Sequence, residues 1–179
     1  HLQQQQQQQQ QIKTQAAELV TIKTKANITE KQVEALRKDR EVRKVAFSTS
    51  LRTFGNGHTG AFNTETNLIF KHVFENIGNA YNPHTGLFTA PVRGVYHFEF
   101  YIHGHGDSLH VMSAALVKNE QQICTAHVSQ SSGGLSASNG VTLLLKVGDV
   151  VFVRLLDNSK LYDNANRHNT FSGHMLFTM

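Results

Sequence analysis

The chain has 179 residues, 39% of them hydrophobic, with a formal charge of +4, enough for one medium domain plus an extension. Nine Lys or Arg face five Asp or Glu in residues 12–45, and from Ala46 onward there are eight of each; a nucleic-acid footprint belongs on the folded part, so nucleic acid is excluded as a partner. No apolar run reaches the roughly 18 residues of a spanning helix, and the lone Cys124 excludes an intrachain disulfide framework.

Residues 3–11 are an uninterrupted glutamine tract. Such a low-complexity segment has no apolar face, and residues 1–11 are expected to be frayed or disordered. The chain begins at His1 rather than Met, which leaves a removed leader and a truncation both open.

Residues 12–44 change character. Leu19, Ile22, Ala26, Thr29, Val33 and Leu36 are spaced 3, 4, 3, 4 and 3 residues apart, with Gln15 and Ile12 extending the row backward. This is the seam of a coiled coil, with charged residues off it. No Gly or Pro lies between Ile12 and Phe54, so the helix is uninterrupted. Self-association is the favoured reading, and one amphipathic helix lying on its own domain is the other. Asn27-Ile28-Thr29 is a glycosylation sequon, and Asn27 falls just off the seam, where a glycan projects outward.

The head is expected over residues 45–179. Val45, Phe47, Thr49 and Leu51 alternate as a first strand. Residues 70–100 organise the rest: FKHVFENIGNAYNPHTGLFTAPVRGVYHFEF. Asn82-Pro83, Gly86, Pro91 and Gly94 mark its turns. Tyr96, Phe98, Phe100 and Ile102 then point one way, and Val95, His97, Glu99, Tyr101 and His103 the other. Burying each large apolar side chain stabilises by roughly 1.5–3 kcal/mol. Residues 109–117 and 121–128 read as strands and 129–138 as a Ser/Gly-rich mobile loop. Alternation at Val141, Leu143 and Leu145, the apolar run 151–156, a polar loop at 157–169 and a last strand through Phe171, Gly173, Met175 and Phe177 complete an all-β sandwich. The last strand is expected to be central, with Gly173 marking close packing. Cys124 reads as a buried thiol or as an intersubunit bridge.

Phe70, Asn76, Tyr81, Phe88, Gly94, Tyr96, Phe98 and Phe100 stand at the spacing of the signature of the complement C1q globular head domain. The blocks LLLKVGDVVFVRL and TFSGHMLF resemble that family's last three strands. The resemblance implies a jelly-roll sandwich of about ten strands, as in the tumour necrosis factor-like superfamily. It also implies a secreted, extracellular homotrimer with an innate-immune, lectin-like role. Partners would be carbohydrate, microbial or protein surfaces. Calcium near the threefold axis is a further family trait, for which Asp107 and Asp149 are the nearest carboxylates. There is no Gly-x-y collagen tract, so recruitment of collagen-dependent proteases is not carried over. The alternatives are a signalling or scaffolding ligand of the cerebellin or adiponectin type, acting on a cell-surface receptor, and a histidine-rich extracellular protein that binds divalent metal.

Catalytic motifs are missing: there is no G-x-S-x-G, no phosphate-cradling glycine loop and no carboxylate pair, so no enzyme is expected. Histidine is the unusual feature, with ten of eleven in the head. His103-Gly104-His105, with His110 near, offers zinc or copper a His-x-His pair on one strand face. Cupin enzymes begin their metal motif the same way, but Leu109 and His110 stand where its Glu belongs. In a trimer, His97, His103 and His174 would face neighbouring subunits and form a metal site or a pH switch. Hydrogen-bonded interface histidines are the plainer reading. The candidate metal ligands are therefore His97, His103, His105, His110 and His174, and the recognition loops are 56–60, 129–138 and 157–169.

Overall fold

A computed structural model describes residues 1–179, in two units spanning 1–41 and 42–179. The first is one helix, α1 (Leu2–Val42). It includes the glutamine tract, contrary to the disorder expected there. Glutamine's unbranched side chain loses little freedom in a helix. Once the following turns have nucleated, the helix extends one hydrogen bond per residue. No residue of α1 is buried, and Leu19, Ile22, Val33 and Leu36 of the seam are exposed.

The second unit has thirteen strands: β1 (Ala46–Ser50), β2 (Gly57–Thr59), β3 (Thr66–Asn67), β4 (His72–Ile77), β5 (Tyr81–Asn82), β6 (Leu87–Thr89), β7 (Gly94–His105), β8 (Met112–Lys118), β9 (Gln121–Val128), β10 (Gly134–Leu145), β11 (Val150–Leu155), β12 (Leu161–Asp163) and β13 (Thr170–Thr178). The excess over ten comes from pieces of two or three residues, namely β2, β3, β5, β6 and β12. One sheet runs β10-β7-β13-β1-β4, the other β5-β6-β11-β8-β9 with β3 also on β11, and β12 pairs with β2. The long pairings are antiparallel.

β2 and β12 fall as short paired strands inside the segments expected as loops at 56–60 and 157–169, and two strand starts also differ from expectation. β8 starts at Met112 rather than Leu109, which is exposed. Asp107 accepts the Leu109 N–H at 2.9 Å and fixes a turn there. Residues 134–138 belong to β10, not to a loop, because they pair with 101–105 of β7. A neighbouring strand thus overrides a composition that favours turns.

The core is aromatic. Phe70, Tyr81, Phe88, Tyr96, Phe98, Phe100 and Phe171 are fully buried between the sheets. Phe47 stacks on Tyr81 at 4.9 Å and meets the edge of Phe171 at 4.9 Å, and Phe88 meets Phe98 at 5.1 Å. Such pairs add about 0.5–1.5 kcal/mol beyond area burial. The Tyr81 hydroxyl donates to the Phe70 carbonyl at 2.7 Å, and burial raises its pKa to about 12. Asn76 serves as a false backbone: its Nδ2 donates to the Tyr81 carbonyl at 2.8 Å and its Oδ1 accepts the Tyr81 N–H at 3.3 Å. β13 lies inside its sheet, between β7 and β1, the central place that Gly173 and the apolar end of the strand predict.

Candidate functional site

The five predicted metal ligands fall in three places. His97 and His174 share a row on the outward face of the β10-β7-β13-β1-β4 sheet, flanked by Thr142 and Ala46. Their rings are 5.9 Å apart. His97 Nε2 meets Glu99 Oε1 at 2.9 Å, and its Nδ1 meets Thr142 Oγ1 at 2.9 Å. The bond from His97, helped by one from the Tyr101 hydroxyl, holds the Glu99 carboxyl below the usual range.

His103 and His105 lie at the far end of β7, with rings 6.0 Å apart. Here three of the expected loops converge. β2 and β12 bring His58 and Tyr162 against His105, at 5.6 and 4.2 Å. His168 stacks on His103 at 4.3 Å. Four imidazoles therefore line one end of the head, two of them, His58 and His168, outside the predicted set. Burial holds His103 below the usual imidazole range, reinforced by His168 and His105 and opposed by Asp163. Partial burial lowers His58 too, aided by Lys160 and His105 and opposed by Asp107.

Asp163 anchors this end. Its Oδ1 accepts the N–H groups of Asn164 and His168 at 2.9 and 2.8 Å, and its Oδ2 is buried without a partner. His110 does not join the imidazoles; it pairs with Asp107 at 2.8 Å. That bond, with the Leu109 N–H, lowers the Asp107 pKa to about 2.

Within one chain no three His, Cys, Asp or Glu side chains converge to hold a metal ion. Both carboxylates weighed for calcium are engaged internally. Asp107 meets His110 and Lys160, and Asp149 accepts from Asn119 and the Lys146 N–H. Cys124 packs against the core, and burial raises its thiol pKa, leaving it a poor nucleophile. Asn27 lies on the exposed surface of α1. No helix is long and apolar enough to cross a membrane.

Two antiparallel sheets closed over an aromatic core, with a C-terminal strand in the middle of one, define the jelly-roll class shared by C1q and tumour necrosis factor heads. The fold matches the globular domain of zebrafish complement 1qA with a TM-score of 0.61 and 23% identity, covering 76% of this chain and 100% of that one. It matches Eiger TNF from S. frugiperda with a TM-score of 0.61 and 15% identity, over 76% and 95%. The C1q domain family model matches residues 46–176, and the chain belongs to that family. Complement C1q tumor necrosis factor-related protein 3 is 35% identical over 136 residues in both Mus musculus and Homo sapiens. The match covers 75% of this chain and 52% of each relative, so the chain spans about half the length of the curated relatives it matches.

Proposed function

We propose that this chain forms a secreted, non-enzymatic homotrimer that recognises carbohydrate, microbial or protein surfaces multivalently through its head. The carrying observation is α1. It has 41 residues, none buried, and a 3-4 seam whose apolar members Ile12, Leu19, Ile22, Val33 and Leu36 are left in solvent. Helices draw most of their stability from packing an apolar face, and partner copies supply that packing. Family membership favours three copies. Phe177, Leu144 and Ile77, exposed on the outward sheet, offer the same copies a second contact. Three heads on one stem raise apparent affinity by about 10²–10⁴ over a single contact. A glycan on Asn27 belongs to the same extracellular reading, and the intact mass of material secreted from animal cells tests it.

A signalling ligand acting on a cell-surface receptor is the second reading, favoured by the relatives' name, C1q tumor necrosis factor-related protein. Zinc or copper bound by His97, His103, His105, His110 or His174 is a further part of the proposal. It requires ligands from several copies, since one chain does not assemble a site.

Sedimentation velocity at micromolar concentration, followed by a glycan array with and without zinc and calcium, tests these readings. The expected result is a species of three chains that binds the array. Single chains alone would end the proposal. A three-chain species that ignores the array but binds a receptor-bearing cell moves the function to the second reading.

A further inference from the structure

A groove of about 340 Å³ opens beside the segment linking β1 to β4. That volume is in the range of ligand pockets. Leu51, Leu68 and Ile69 form its apolar lining, and Phe54 and Phe62 also line it. Phe54 is 85% exposed and Phe62 is 41% exposed, a large ring area for a soluble surface to leave uncovered.

The charge of the groove is one-sided. Arg52 and Lys71 line it, and no Asp or Glu does. The Arg52 guanidinium lies flat against Gly57, and its Nε is buried without a hydrogen-bond partner. The nearby Glu65 is taken by Arg154 at 3.3 Å. Two of the polar lining groups are committed as well: Thr66 Oγ1 donates to the Thr64 carbonyl, and Asn67 Oδ1 accepts from Arg154. What remains to meet a ligand is mainly two rings, aliphatic walls and two cations. A sugar needs many free hydrogen-bonding groups, and few are left. A carboxylate beside an aromatic side chain meets all three features, and Arg with exposed aromatics is the composition of protein interface anchors.

We propose that this groove docks an acidic, aromatic-bearing segment of a partner protein. The proposal rests on the reading of the head as a recognition module, though not on its trimeric state. Arg52 and Lys71 take the carboxylates, and Phe54 and Phe62 close over the partner's ring.

Fluorescence anisotropy of the full chain with a labelled random copolymer of glutamate and tyrosine tests it. A lysine–tyrosine copolymer and an acidic oligosaccharide serve as comparison probes. Wild type is expected to bind the glutamate–tyrosine polymer and neither comparison probe. Lys71→Glu and Phe54→Ala should each weaken binding about tenfold, the effect of about 1.4 kcal/mol. Arg93→Glu, exposed and outside the groove, should leave it unchanged. Both groove positions are exposed, and thermal melting confirms that the variants fold.

No binding by wild type overturns the proposal, as does an equal loss in Arg93→Glu or no loss in Lys71→Glu, which would place the contact elsewhere. Preference for the oligosaccharide overturns it in favour of a sugar site. A change in sedimenting mass in Phe54→Ala would show that the groove seats another copy of the chain. If the three-chain species and array binding persist while the copolymer fails to bind, only the groove is rejected.

Discussion

Single residues show why the C1q spacing is demanding. Asn76 is held to its position because its amide replaces two backbone bonds to Tyr81. A Cβ at Gly94 would stand 2.6 Å from the Phe177 carbonyl oxygen. At Gly173 a Cβ would stand 2.5 Å from one ring carbon of Phe98 and 2.8 Å from Phe47. Both rings are locked in the aromatic stack, so neither can swing aside cheaply. Gly173→Ala is therefore expected to destabilise the head by about 1–3 kcal/mol. Urea denaturation checks this, and an unchanged midpoint would mean that the stack yields more readily than its packing suggests.

Among the elements, β13 carries the most structure. It pairs with β7 from Thr170 to Thr178 and with β1 over residues 170–174, and it contributes the buried Phe171. Deleting residues 171–179 would open two strand edges at once and empty the middle of the stack. Such a chain is expected to lose cooperative thermal unfolding; a sharp calorimetric transition in the truncated chain would contradict this. The β7 alternation was legible because its period is two and one face is aromatic, a pattern set by burial alone. The start of β10 was not, because Ser136 and Ser138 owe their strand conformation to partners at His103 and Tyr101 that local composition does not reveal. The helicity of the glutamine tract is not legible locally for a related reason: it depends on the turns that follow it.

On the scale of the whole molecule, the histidine-lined end makes stability depend on pH. His103 and His58 titrate below the reference value of 6.5 in the folded chain, so the unfolded chain binds protons first. Stability is fully present above 6.5 and is lost as pH falls below it. The groups around these rings are His105, His168, Lys160, Asp107 and Asp163. Asp107 does not take up a proton until about pH 2, so carboxylate protonation there does not mask the effect. The melting temperature should drop as pH falls through 6.5, and less so in His103→Gln; equal slopes in the two proteins would assign the loss to other groups. Sequence showed the abundance of histidine but not this gathering, since His58 and His168 reach His105 and His103 only through the pairing of β2 with β12 and the turn held by Asp163.

The placement of β13 also bears on how the chain is made. Residues 46–50 are among the first of the head to be synthesised, yet their partner strand is residues 170–174. While the ribosome is still adding the last segment, β1 and β7 have a gap between them and their rings have no lid. The head therefore cannot close progressively as it emerges. It must wait for residues 170–178 and then close in a late step dominated by long-range contacts, the kind that folds slowly. During that interval the nascent chain exposes sticky strand edges, and a chaperone that shields them would raise its yield.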